Sequence, residues 1–159
     1  LLDRLQGAGY QVKIANHGLS GDTTAGGLTR IRQALAPRPY LVILELGIND
    51  ILIGVPPYRI KANLDQLIQA CLQARSRVLL AGFTAVPGIP RAEAEAFNNL
   101  YPDLAQSYDL TLFADFLDQV EGNPELTLPD GLHPNAQGIA HIVSRLTPVV
   151  KELLDSMSP

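Results

Sequence analysis

Apolar positions along this chain follow two periods, and the switches between them mark its elements. Leu1-Leu2-Asp3-Arg4-Leu5 has helical spacing, and Gly7 and Gly9 stop the helix it predicts over residues 1–8. Val12-Lys13-Ile14-Ala15-Asn16 alternates with a period of two and predicts a strand. A polar, glycine-rich turn follows over residues 17–24. It leads into a helical pattern carrying Leu28, Ile31 and Leu35, which Pro37 and Pro39 close. Residues 40–46 are nearly continuous apolar sequence, the mark of a central parallel strand covered on both faces. After Pro56 and Pro57, Ile60, Leu64, Leu67, Ile68, Cys71 and Leu72 predict a helix. Residues 77–83 read as a second buried strand. A helix over about 91–108 and a short strand over 110–113 come next. The last helix carries Ile139, Ile142, Val143, Leu146, Val149, Val150, Leu153 and Leu154.

Strands alternate with helices throughout, with no internal repeat and no linker. The pattern predicts one α/β domain over residues 1–159, with a parallel sheet between layers of helices. In such sheets the site lies beyond the carboxyl ends of the strands. Three polar clusters fall there: residues 18–24, 47–50 and 130–133.

Composition narrows the function classes. The 159 residues are 47% hydrophobic and 18% charged, which suits a folded domain with a real core. A net charge of −4, without clustered Lys and Arg, argues against nucleic acid as a partner. No apolar run reaches membrane-spanning length. The single cysteine, Cys71, sits in a helical apolar pattern and reads as a buried, inert thiol. The chain opens in mid-helix pattern, with no initiator Met and no leader pattern, so further residues are expected upstream of Leu1.

The stretch Asp130-Gly131-Leu132-His133-Pro134 carries the sharpest chemistry. An acid three residues before a histidine can hold one imidazole nitrogen and leave the other free to take a proton. The same spacing also arises in surface turns and helix caps. Gly131 lets the backbone bend, and Pro134 suits the first turn of the helix that follows. Asn49, just after a buried strand, offers an amide donor to a developing oxyanion, or serves as a turn or cap residue. Gly21, in a strand-to-helix turn, offers a backbone N–H to an anion, or simply permits the turn. Together these four residues supply a base, its orienter and two electrophilic donors, but no clear nucleophile.

Other candidates are weaker. Thr23 would be a hindered secondary alcohol in need of its own base, and Ser20 is placed to serve the turn. Capping is the favoured role for Asp22 and Asp50, with pairing to Arg as the alternative. His17, Asp50 and His133 are of types that ligate zinc, but their spacing matches no metal motif. Phe83, Val86 and Ile89 either wall an acyl or aryl pocket or pack into the core.

Three blocks stand in register: Ser20-Gly21-Asp22-Thr23, Glu45-Leu46-Gly47-Ile48-Asn49-Asp50 and Asp130-Gly131-Leu132-His133-Pro134. Their order and spacing resemble the signature blocks of the SGNH (GDSL) hydrolases, over essentially the whole chain. The likeness is strongest to the bacterial branch of thioesterases, arylesterases and lysophospholipases. The resemblance implies a flavodoxin-like three-layer α/β/α fold and a serine hydrolase of acyl esters or thioesters. It implies Asp130 and His133 as triad members, Gly21 and Asn49 as oxyanion donors, and neither metal nor organic cofactor. The family's nucleophile is a Ser in a Gly-Asp-Ser-Leu block after the first strand, which the register places before Leu1. Two alternatives share these residues: a truncated, non-catalytic relative that binds an ester or glycan, and a carbohydrate O-deacetylase. Relatives of this branch are often exported, which suggests a periplasmic or secreted protein, with the cytoplasm as the alternative.

Overall fold

A computed structural model describes residues 1–156. The elements in chain order are α1 (Leu2–Gly7), α2 (Thr24–Leu35), β1 (Leu41–Glu45), α3 (Ile48–Leu52), α4 (Pro57–Gln73), β2 (Arg77–Ala81), α5 (Arg91–Tyr108), β3 (Thr111–Phe113) and α6 (Ala136–Asp155). They fall into two compact units. Leu1–Asn16 and the chain from Phe116 form the first; His17–Asp115 forms the second.

The second unit holds a parallel sheet in the order β1-β2-β3, with Leu41 opposite Arg77 and Leu79 opposite Thr111. Four successive residues of β2, Val78 to Ala81, are buried, as a strand covered on both faces requires. Helix α4 presents Ile60, Leu64, Leu67, Ile68 and Cys71, at three- and four-residue spacing, as one fully buried stripe. Helix α5 contributes Phe97, Leu100, Tyr101 and Leu104. Tyr101 meets both Phe97 and Phe83 edge to face, with ring centroids 5.5 and 6.3 Å away. Parallel strands joined through helices, with helices packed on the sheet, make this the α/β fold expected from the sequence.

Three expectations are corrected. Residues 12–16 form no strand, although they alternate. A strand exists through its ladder, and alternation specifies faces without supplying a partner. Second, β1 is the outermost strand of the described sheet, not a central one, and its first three residues are only half-buried. Third, Pro134 lies outside the last helix. Asn135 is its N-cap, and Pro134 instead forms an isolated antiparallel bridge with Thr127.

In the first unit, Tyr10 donates its hydroxyl to Asp155 at 2.5 Å, which ties the chain after α1 to the end of α6. The backbone of α6 approaches the loop before it closely at Gly138. A Cβ there would overlap the Leu126 carbonyl, so only glycine fits without a shift. Among the described residues no helix is long and apolar enough to cross a membrane.

Candidate active site

The loop that carries Asp130 and His133 is held on several sides. Leu128 N–H donates to the His133 carbonyl at 2.7 Å, and Asn135 N–H to the Leu126 carbonyl at 2.9 Å. The Asn135 side chain caps α6 by accepting from Gln137 and Gly138 N–H. Its amide also donates to the Glu125 and Thr127 carbonyls. Gly131, at φ +70°, takes the left-handed turn that brings the chain back on itself.

Within this loop Asp130 Oδ1 accepts from the backbone N–H of Leu132 and of His133, each at 3.0 Å. Asp130 Oδ2 lies 2.7 Å from His133 Nδ1. The two backbone amides, and then the imidazole, hold the Asp130 carboxyl down at about 2. An ionised carboxylate on Nδ1 fixes the tautomer with its proton there, so Nε2 presents a lone pair. Nε2 has no partner among the described residues, and His133 is 60% exposed, within reach of an incoming substrate. The sequence placed these two residues together, and the structure does so.

Gly21 and Asn49 belong to the second unit. Asp22 N–H closes a turn onto the Leu19 carbonyl at 3.1 Å, with Gly21 at its third position and φ +77°. That position favours glycine, so the turn reading of Gly21 is correct in itself. Its N–H, with no acceptor among the described residues, remains available to an anion. Asn49 lies in α3, after a tight turn at Gly47 (φ +121°). A side chain at Gly47 would strike the Tyr101 hydroxyl, which donates to the Leu46 carbonyl at 3.0 Å. Burial above all, with the nearby Glu45 and Asp50 carboxylates adding to it, raises Tyr101 well above the usual phenol range, so it stays a donor. Asn49 Nδ2 donates to the Asp22 carbonyl at 2.9 Å, so the two donor loops touch. One amide proton is committed there and the other is free.

The remaining candidates resolve as follows. Thr23 is the N-cap of α2, its hydroxyl accepting from Gly26 N–H at 3.1 Å. Asp22 does not cap α2; it pairs with Arg30, whose other nitrogen donates to the His17 carbonyl at 2.9 Å. Asp50 does cap, but across elements: it accepts from Thr24, the first residue of α2. Phe83 belongs to the core, edge to face with Tyr101. Cys71 is fully buried, and burial pushes its thiol up to about 11, out of the range of a nucleophile. No metal-binding cluster of His, Cys, Asp or Glu occurs among the described residues. Sequence reasoning missed Arg30, Thr24 and Asn63, which hold the donor loops. Their partners lie 8, 26 and 39 residues away along the chain, beyond the reach of local spacing.

Comparison with known proteins yields one consistent result. Residues 1–140 match the model of the GDSL-like lipase/acylhydrolase family. Esterase TesA of Pseudomonas aeruginosa is 35% identical over 155 residues, covering 97% of this chain and 77% of that protein. An arylesterase of Vibrio mimicus is 36% identical over 138 residues, covering 86% of this chain and 69% of that protein. The crystal structure of TesA superposes with a TM-score of 0.90 at 34% identity, over 96% of this chain and 85% of that one.

Proposed function

The chain belongs to the GDSL-like lipase/acylhydrolase family, a family of carboxylic ester hydrolases, and on that premise we propose that it cleaves acyl esters or thioesters by a Ser-His-Asp mechanism. The observation that carries this reading is the Asp130–His133 pair, 2.7 Å apart with Nε2 unengaged. The nucleophile is the serine of the family's Gly-Asp-Ser-Leu block, which the resemblance places before Leu1.

The serine hydroxyl attacks the acyl carbonyl and gives its proton to His133 Nε2. Asp130 keeps the imidazole in the right tautomer and stabilises the imidazolium that forms. Charge gathers on the former carbonyl oxygen, and the Gly21 N–H and the free Asn49 N–H donate to it. These donors act on charge that exists only in the transition state, so they lower the barrier rather than tighten ground-state binding. The intermediate collapses, and the leaving alcohol or thiol takes the proton back from Nε2. Water, activated by the same nitrogen, attacks the acyl-enzyme and returns the free serine.

The substrates of this reading are aryl, short-chain or lysophospholipid-type esters and acyl thioesters. Turnover of p-nitrophenyl acetate and butyrate by the full-length protein tests it. His133→Ala should lower kcat by about 10⁴-fold or more, with a smaller change in KM. Equal turnover by wild type and His133→Ala would remove the mechanism.

A further inference from the structure

Asp50 is a buried carboxylate, 1% exposed, and the reaction above does not use it. A carboxylate out of water must replace its lost hydration with hydrogen bonds. Both oxygens find theirs on one residue. Thr24 N–H donates to Oδ2 at 2.8 Å, and Thr24 Oγ1 lies 2.6 Å from Oδ1. Asn63 Nδ2, on α4, donates to Thr24 Oγ1 at 2.9 Å. That hydroxyl accepts from Asn63, so its own proton is committed to Asp50. Three helices, α2, α3 and α4, therefore meet at one polar knot, with Asp50 and Thr24 buried.

Each end of the knot adjoins a proposed oxyanion donor. Asn49 immediately precedes Asp50, and Gly21 lies three residues before Thr24. Asn49 itself reaches across to the Asp22 carbonyl, but one amide hydrogen bond leaves both backbones free to shift. The paired contacts of Asp50 fix the start of α2 against α3 in distance and angle together.

We propose that Asp50 is a positioning residue: acting through Thr24, it sets the separation between the Gly21 N–H and the Asn49 amide. This rests on the reading that those two groups bind the oxyanion. Donors aimed at a transition state must be in place before the charge develops, and an error of about 1 Å can cost on the order of 100-fold in rate. Asp50 and Thr24 are buried, out of a substrate's reach, so their loss should appear in kcat and hardly in KM.

The test uses the full-length enzyme with p-nitrophenyl acetate, and rates are expressed per folded molecule from near-ultraviolet circular dichroism. Asp50→Ala and Thr24→Val should each lower kcat by roughly 10- to 100-fold and leave KM within about threefold. Thr24→Ser, which keeps the hydroxyl, should restore most of the rate. Placed in an Asn49→Ala background, Asp50→Ala should cost much less than in wild type, because the donor it positions is already gone. If Asp50→Ala does not fold, the Thr24→Val and Thr24→Ser pair decides alone, since both keep the carboxylate. Wild-type kcat in Thr24→Val, or Asp50→Ala effects that simply multiply with those of Asn49→Ala, would overturn the proposal. Failure of the underlying reading looks different: Asn49→Ala alone would then turn over at the wild-type rate.

Discussion

Asp130 engages two backbone amides with one oxygen and an imidazole with the other, and this has a consequence for pH. Its carboxyl sits at about 2, below the roughly 3.9 of an unfolded aspartate. A group with a depressed folded value stabilises the native loop fully above its unfolded value, and this contribution fades as pH falls through the folded one. The loop over 128–135 should therefore hold down to about pH 4 and loosen between about pH 4 and 2. Asp130→Ala should flatten that acid limb in denaturant midpoints measured against pH; an unchanged slope would contradict the assignment. At higher pH Asp130 stays ionised and keeps its hold on His133 Nδ1. Across the fold, Asn49→Ala should lower kcat by about 100-fold or more with little change in KM, as expected for a donor used only in the transition state.

At the scale of the element, the motif depends on how α6 begins. Asn135 caps the helix with its oxygen and ties Glu125 and Thr127 with its nitrogen. Asn135→Ala should cost about 1–2 kcal/mol in chemical denaturation, at the upper end for a cap, because two further carbonyls lose their donor. Asn135→Asp keeps the cap but not those donors, and should fall between the two. How much of this was legible in the sequence follows from separation along the chain. Asp130 and His133 are three residues apart, so local spacing alone brought them together. The helices α4, α5 and α6 were legible because each carries its own apolar stripe. The Asp50–Thr24–Asn63 knot was not, since its members are 26 and 39 residues apart and each alone resembles an ordinary cap or surface polar residue. The strand expected over 12–16, like the central place given to β1, failed for a related reason. Sequence shows that a segment could pair, while pairing depends on another strand. Pro134 was misplaced by two residues, the usual uncertainty where a cap rather than a pattern sets the boundary.

At the scale of the molecule, the first unit is built from both ends of the chain and the second from everything between. Cohesion within the first unit is visible at Tyr10, whose hydroxyl meets Asp155 and whose ring lies 5.8 Å from Lys151 Nζ. Yet this unit has about 60 residues, one six-residue helix and one long helix, and an isolated bridge but no strand among its described residues. A body of that size, without disulfide or sheet, is marginal on its own. The second unit holds the sheet and the fully buried stripe of α4. The single-domain reading therefore predicts one cooperative transition in scanning calorimetry, with calorimetric and van't Hoff enthalpies equal. Lys151→Ala, at a half-buried position of α6, should leave that ratio near one. Leu146→Ala, a buried position of α6, should lower the midpoint while keeping a single peak, at a cost of about 2–5 kcal/mol. Should Leu146→Ala instead split the trace into two peaks, one unmoved, the two units would be separate folding bodies and the chain would not be one domain.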